Sequence, residues 1–386
     1  MASNQERRKD LEAQQAAYLC AEHDLTQAEI GRLLGGLSQS RVSRLLKRAE
    51  DRGWLRRSYQ FIPDRLSEER LAQLKDFVEP SSLIERLATV ESSTGVRVRG
   101  VHVVDSGAGG TSTRSLATRL ARFGRSAADP LAELISRSDV FAVTWGRTVS
   151  HVVDNLGPLL QGRIGQRPIR FVPVCGEPHE RASERDTSSH LAERLHAVAR
   201  STAPLPPSLT GVAALIPRRY RGADLRSIRR FVEDAASYRE VFGKTSPMIG
   251  HVDSLLTACG PSHHPMGFIY DELLKAGSTP AKKLTAAGLQ RLVVGDLGGV
   301  LFPRPGLDAR DRREVDDLNR MWTGAKLKHF ERIARGATRS THPGVIVVAM
   351  GGDDRAAILA EVIRYGLVNE LIIDRTLSEA LVKALA

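Results

Sequence analysis

LTQAEIGRLLGGLSQSRVSRLLKRAEDRGWL, residues 25–55, is the stretch whose reading decides the first part of the fold. Thr26 is followed three residues later by Glu29, the pattern in which a hydroxyl and a carboxylate satisfy the free N–H groups of a helix start. A helix is therefore predicted there, with Leu25 as an apolar staple and Ile30, Leu33 and Leu34 as the buried stripe. Gly35 and Gly36 interrupt the pattern. Ser38 can cap a second helix, in which Val42, Leu45, Leu46 and Ala49 recur at helical spacing. The order is helix, turn, helix.

The opposite face of the second helix carries Gln39, Ser40, Arg41, Arg44, Lys47 and Arg48. These donors suit phosphates and the guanine edges of a major groove. A basic helix face is ordinarily just solvated, but here a cap, a glycine turn and a donor-rich face coincide. Gln39, Ser40, Arg41 and Arg44 stand at the end of the helix that such proteins present to bases. Thr26, Gln27, Lys47, Arg56 and Arg57 are assigned to phosphates, the last two within WLRRSYQFI, read as a strand or wing. Thr26 also serves as a helix cap, and Lys47 has the alternative of lying along the helix surface.

With 386 residues and a net charge of +11, the chain suggests two domains and a polyanionic partner. The boundaries read as 1–62 for a winged helix-turn-helix, 63–92 for a helical linker and 93–386 for a larger α/β domain. Cys20, Cys175 and Cys259 are far apart and form neither a disulfide framework nor a cysteine metal site, which fits a reducing cytoplasm. No apolar run approaches the roughly 18 residues of a membrane span, so no membrane partner is expected.

Beyond residue 95, apolar runs (VRVRGVHVV, DVFAVTW, IRFVPVC, GVAALIP, VDSLLTAC, RLVVGDL, GVIVVAM, NELIIDR) alternate with helical stretches. That rhythm belongs to a parallel sheet covered by helices. Many runs end in glycine-bearing turns, DSGAGGTST, TWGRTV, PVCGE, ACGPS, GDLGGV and MGGDDR, and ligands of open α/β sheets bind at such carboxyl ends. In TWGRTV a glycine, the Thr148 hydroxyl and an imminent helix start would suit an anion. MGGDDR repeats the arrangement with Arg355. Asp296 in GDLGG could accept from sugar hydroxyls or simply hold a turn. Residues 308–341 read as a charged helical insertion. His263 and His264 are adjacent and lack a supporting carboxylate pattern, so no metal is assigned; no cofactor and no catalytic residue are assigned either.

Residues 25–55, FAVTWGRTVSHVVDNL (141–156), VPVCGE (172–177), VDSLLTACG (252–260), VVGDLGGVLFPRPG (293–306) and residues 345–374 occur in an order that resembles the SorC family of sugar-binding transcriptional regulators. The resemblance implies a winged helix-turn-helix joined to a Rossmann-like α/β effector domain similar to sugar-phosphate isomerases. It further implies operator DNA, a small phosphorylated sugar or polyol, and a homodimer or homotetramer. By position it assigns Gly146, Arg147 and Thr148 to an effector loop, Gly295 and Asp296 to a Gly-Asp turn, and Gly351, Gly352 and Arg355 to a late glycine loop. Departures are the paired glycines 35 and 36, Pro303, Arg355 in place of lysine, and the ending IIDR at 372–375. Two alternatives accompany this reading: an isomerase-like enzyme, and a regulator with a degenerate effector pocket.

Overall fold

The structure, a computed structural model, describes residues 4–23, 25–55, 81–107, 113–165, 167–178, 184–220, 222–261, 270–280 and 282–386. The chain divides into two compact units, Met1–Ser81 with Val103–Asp105, and the remainder.

In the first unit, α1 (Asn4–Ala21), α2 (Gln27–Leu33) and α3 (Gln39–Asp51) enclose one core. From α1 come Ala13, Ala16, Ala17 and Leu19, and from the other two helices Ile30, Val42, Leu45, Leu46 and Ala49, with Trp54 and Leu55 closing the end. The small residues of α1 keep its backbone near its neighbours. Gly31 is required by a close approach, since a Cβ there would lie 2.2 Å from the Leu37 carbonyl oxygen. Gly35 (φ 86°) and Gly36 (φ 79°) take the left-handed backbone that the turn demands. The predicted wing with Arg56 and Arg57, and the first predicted linker helix, lie outside the described residues; the second is the helix Ser81–Thr89.

The strands are, in chain order, β1 (Gly100–Val104, its last two residues grouped with the first unit), β2 (Val140–Val143), β3 (Arg170–Pro173), β4 (Ser254–Thr257), β5 (Cys259–Pro261), β6 (Val293–Leu297), β7 (Val300–Pro303), β8 (Gly344–Ala349) and β9 (Glu370–Asp374). Six form a sheet in the order β1-β9-β8-β4-β2-β3, and β5-β6-β7 form a smaller one. The pairs β2–β3, β2–β4, β4–β8 and β8–β9 are parallel. Every residue of β8 and β9 is buried, as expected of strands covered on both faces.

Three expectations are corrected. GDLGG is no loop at a parallel strand end: it joins β6 to β7 as an antiparallel hairpin, and Cys259–Pro261, read as a turn, is the strand that pairs with β6. GVAALIP makes only isolated bridges, Glu177 with Ala213 and Leu215 with Trp322. The charged insertion is two helices with buried stripes, Val315, Leu318 and Met321 in Ala309–Met321, and Phe330, Ile333, Ala334 and Ala337 in Leu327–Ala337. Its charges cover the outer faces of helices that help build the core. No helix among the described residues is long and apolar enough to cross a membrane.

The strand order fixes where a site can form. From β2 the chain passes to β3 on one side, whereas β4, on the other side of β2, leads on towards β8. Connections that diverge in this way leave a crevice at the carboxyl ends of the two strands, beyond Val143 and Thr257. At the opposite, amino end, Asp139, Asp253 and His342 bring ligand atoms within 4.8 Å of one another. They are engaged in holding the strand starts: Asp253 accepts from the Asp139 and Val140 N–H groups, Asp139 pairs with Arg167 at 2.8 Å, and His342 Nδ1 lies 2.9 Å from the Arg137 carbonyl oxygen.

Candidate functional site

The outer face of α3 separates the basic residues by direction. At about 100° per residue, Ser40, Arg44 and Lys47 point away from the buried Val42, Leu45, Leu46 and Ala49, and all three are exposed. Exposed Ser43 lies beside them, a candidate contact that a search for charge passes over. Arg41 leans sideways onto Glu12 of α1 at 2.9 Å. Arg48 is held by Glu6 at 2.8 Å and Asp10 at 2.6 Å, so it ties α3 to α1. Gln39 is exposed at the first position of α3, where the Ser38 hydroxyl accepts from the Arg41 N–H. Thr26 caps α2: its N–H and hydroxyl both donate to the Glu29 carboxylate, at 2.9 and 2.5 Å. Gln27 follows, half-buried.

The crevice beyond β2 and β4 is built from hydrogen bonds and glycine contacts. The Thr144 hydroxyl donates to Thr257 Oγ1 at 3.1 Å. Ser188 Oγ accepts from the N–H groups of Val174 and Cys175 and donates to the Val143 carbonyl, tying the ends of β2 and β3 together. Gly146 (φ 130°) precedes the helix Arg147–Val153, with Arg147 exposed and Thr148 buried. The hairpin turn enters from the other side: a Cβ on Gly298 would meet Thr257 Oγ1 at 2.7 Å, and one on Gly299 would meet the Trp322 ring at 2.2 Å. Trp322 in turn packs edge-on against Trp145 at 4.8 Å.

Asp296 and Arg355 supply the charge. Asp296 Oδ2 accepts from the Gly299 N–H at 2.9 Å, so it does hold the turn. Burial pushes its pKa up to about 6, against the pull of that N–H and of Arg355. Arg355 donates to the Met350 carbonyl at the end of β8. Burial lowers its pKa, while Cys259, Asp374 and Asp296 favour its charge and Arg147 opposes it. The two arginines are therefore within electrostatic reach of each other. Burial also raises the Cys259 thiol to about 11.

Gly351 and Gly352 form the loop after β8, and the Gly351 N–H donates to Asp374 Oδ1 at 3.1 Å. Gly295 has a packing explanation, because a Cβ there would lie 2.3 Å from the Gly260 carbonyl oxygen and 3.0 Å from Ile358. The strand-end set thus contains Gly146, Arg147, Thr148, Asp296, Gly351, Gly352 and Arg355, while Gly295 sits inside the small sheet.

Two family models match the chain: one described as "Putative sugar-binding domain" over residues 97–212, and one of the MarR family over residues 9–60. The Sorbitol operon regulator of Klebsiella pneumoniae is 28% identical over 174 residues, which span 44% of this chain and 44% of that protein. Among solved structures, the full-length sorbitol operon regulator SorC from Klebsiella pneumoniae is similar over 97% of this chain and 99% of its own, with 18% identity and a TM-score of 0.52. A DeoR family transcriptional regulator from Listeria monocytogenes covers 78% of this chain and 100% of its own, with 15% identity and a TM-score of 0.50. The chain thus resembles the sorbitol operon regulator in fold, with a MarR-type match followed by a sugar-binding-domain match along the sequence.

Asp374 is another residue that the sequence showed only as part of an atypical ending. It is fully buried and accepts from Ser106 Oγ (2.7 Å), Arg119 (3.0 Å), the Gly351 N–H and the Leu377 N–H. It thus fixes the late glycine loop. An acidic residue closing the apolar run Leu371–Ile373 was the available signal. Pro303, another departure, ends β7 in an exposed position.

Proposed function

We propose that this chain is a sequence-specific DNA-binding transcriptional regulator whose operator affinity is set by an anionic metabolite, a phosphorylated sugar or polyol, held at the strand ends. The observation that carries this reading is the pairing of an exposed, donor-rich α3 with a separate strand-end site where Arg147 and Arg355 lie within electrostatic reach of each other. Ser40, Arg44 and Gln39 meet base edges in it, and Arg41 joins them after exchanging Glu12 for DNA. Lys47, Gln27 and Thr26, with Arg56 and Arg57, meet phosphates. The anion lies near Gly146–Thr148, with Arg355 as a bidentate donor and Asp296 accepting from a hydroxyl. The working unit is a homodimer or homotetramer in the cytoplasm, and residues 1–62, 63–92 and 93–386 act as reader, linker and sensor. The sorbitol operon regulator, a relative over under half its length, supports the regulatory role.

An isomerase reading has one observation in its favour: a carboxylate with a pKa near 6 lies in the range of a general base. Against it, Asp296 already holds the hairpin turn. The two are separated by incubating the protein with aldose and ketose phosphates, then measuring turnover and, in parallel, affinity for DNA selected from a random fragment pool. Regulation predicts no turnover and a ligand-dependent change in DNA affinity; turnover with unchanged DNA affinity rejects it.

A further inference from the structure

A cavity of about 590 Å³ lies against β7, within the roughly 300–1,000 Å³ range of small-molecule sites. Val300, Leu301, Phe302 and the Trp322 indole line it, with Tyr365 at the side. Because β7 is the outer strand of its sheet, its main-chain groups could invite another strand. The Asn319 amide forestalls this by accepting from the Leu301 N–H (2.8 Å) and donating to the Leu301 carbonyl (3.0 Å). The wall is thereby left apolar, with Phe302 and Tyr365 edge to face at 6.2 Å.

One cation, Lys326, lines this cavity without an acid to answer it. Its ammonium donates to the carbonyls of Trp322 and Asn319 and has no carboxylate at ion-pairing distance among the described residues. The charges that act on it are those of Arg229 and Lys328, and with burial as the larger cause its pKa falls to about 8. The other charges at the cavity are balanced or in solvent: Arg364 pairs with Glu361 at 3.0 Å, Arg320 with Asp317 at 2.5 Å, and Asp316 is exposed. A half-buried cation beside an apolar wall favours an anion that brings its own apolar surface.

We propose that this cavity binds a small organic anion with a flat apolar body, such as an aromatic carboxylate, its charge on Lys326 and its ring among Phe302, Trp322 and Tyr365. The site shares Trp322 with the wall of the strand-end crevice but has its own charge, Lys326. Arg355 and Tyr365 stand at opposite ends of the helix Asp353–Tyr365, about 15 Å apart along its axis at 1.5 Å per residue.

The test uses the full chain with 1-naphthoate and its neutral counterpart 1-naphthamide, followed by tryptophan fluorescence and ligand-observed NMR. Naphthoate is expected to bind at least tenfold more tightly than naphthamide, to lose at least tenfold on Lys326→Met, and to be undisturbed by glucose 6-phosphate. Since Lys326 also caps a helix end, Leu327→Trp at the half-buried rim gives a second variant, expected to keep the far-UV circular dichroism and melting of the parent while naphthoate binding disappears. Equal binding of the two probes, unchanged binding in both variants, or displacement by glucose 6-phosphate overturns the proposal.

Discussion

On the outer face of α3, Ser40, Arg44 and Lys47 stand in water on a helix whose other side is wholly apolar. At the carboxyl ends of the parallel strands the charges are packed instead: Asp374 is fully buried and four-fold hydrogen-bonded, and Asp296 is pressed beneath a glycine turn. The first arrangement leaves side chains free to exchange partners at little cost, since exposed ion pairs contribute about 0–1 kcal/mol. The second fixes geometry before any ligand arrives and is unforgiving of change. In the proposed function the α3 donors search a polyanion and the strand-end pocket recognises one small molecule, and the two arrangements suit those two tasks respectively.

The glycines expose the contrast most sharply. Gly299→Ala drives a methyl into the Trp322 ring at a backbone of φ 95°, so a loss of about 4 kcal/mol or failure to fold is expected. Gly36→Ala meets open space and carries only the left-handed backbone penalty, about 1 kcal/mol. Urea melts of the two variants check the ranking, and similar losses would erase the distinction between the regions.

Asp374→Ala strands Arg119, whose side chain is 14% exposed, and frees the Gly351 N–H. A loss of about 3–5 kcal/mol is expected, as for breaking a buried pair from one side. Denaturation of this variant beside Glu12→Ala, which breaks the exposed pair with Arg41 and is expected to cost under about 1 kcal/mol, compares the regions directly.

Protonation of Asp296 gives the next effect. Its folded pKa of about 6 lies above the unfolded value of about 3.9, so its contribution to stability is fully present below about pH 3.9 and is lost as pH rises through about 6. The change amounts to about 2–3 kcal/mol. Asp296→Asn, which keeps an acceptor for Gly299, is expected to gain on the parent protein across that interval; parallel pH profiles for the two would contradict the burial argument.

The smallest effects belong to α3. Arg44→Ala is expected to relax sequence preference by about 1–3 kcal/mol at the base it reads, and Arg41→Ala by less, because Arg41 first surrenders Glu12. Selection from a random DNA pool followed by affinity measurements separates them. Equal weakening on all sequences would assign Arg44 to phosphate.

The same contrast explains what was legible in the sequence. Caps and apolar spacing are short-range, so Thr26–Glu29, the glycine turn and the face of α3 could be read from residues 25–55 alone. Most strands were legible too, although GVAALIP is not one and β5 and β7 do not read as strands; strand partnership was not legible. RLVVGDL looks like its parallel neighbours, and only the fold shows it pairing antiparallel with Cys259–Pro261, whose sequence reads as a turn. The link from Asp374 to Gly351 and the electrostatic coupling of Asp296 with Arg355 join distant segments through topology, which periodicity does not encode. The insertion at 308–341 misled because charge density describes an outer face and says nothing of Phe330 beneath.

The central claim, that an anion at the strand ends governs DNA binding on α3, is tested most directly by measuring the affinity of the full chain for its selected DNA while titrating sugar phosphates and their unphosphorylated counterparts, in the parent protein and in Arg355→Ala. The account predicts that a phosphorylated ligand shifts DNA affinity by about fivefold or more, that its unphosphorylated form does not, and that Arg355→Ala abolishes the shift while binding DNA as before. Equal shifts from both ligand forms, or a full shift in Arg355→Ala, would contradict it.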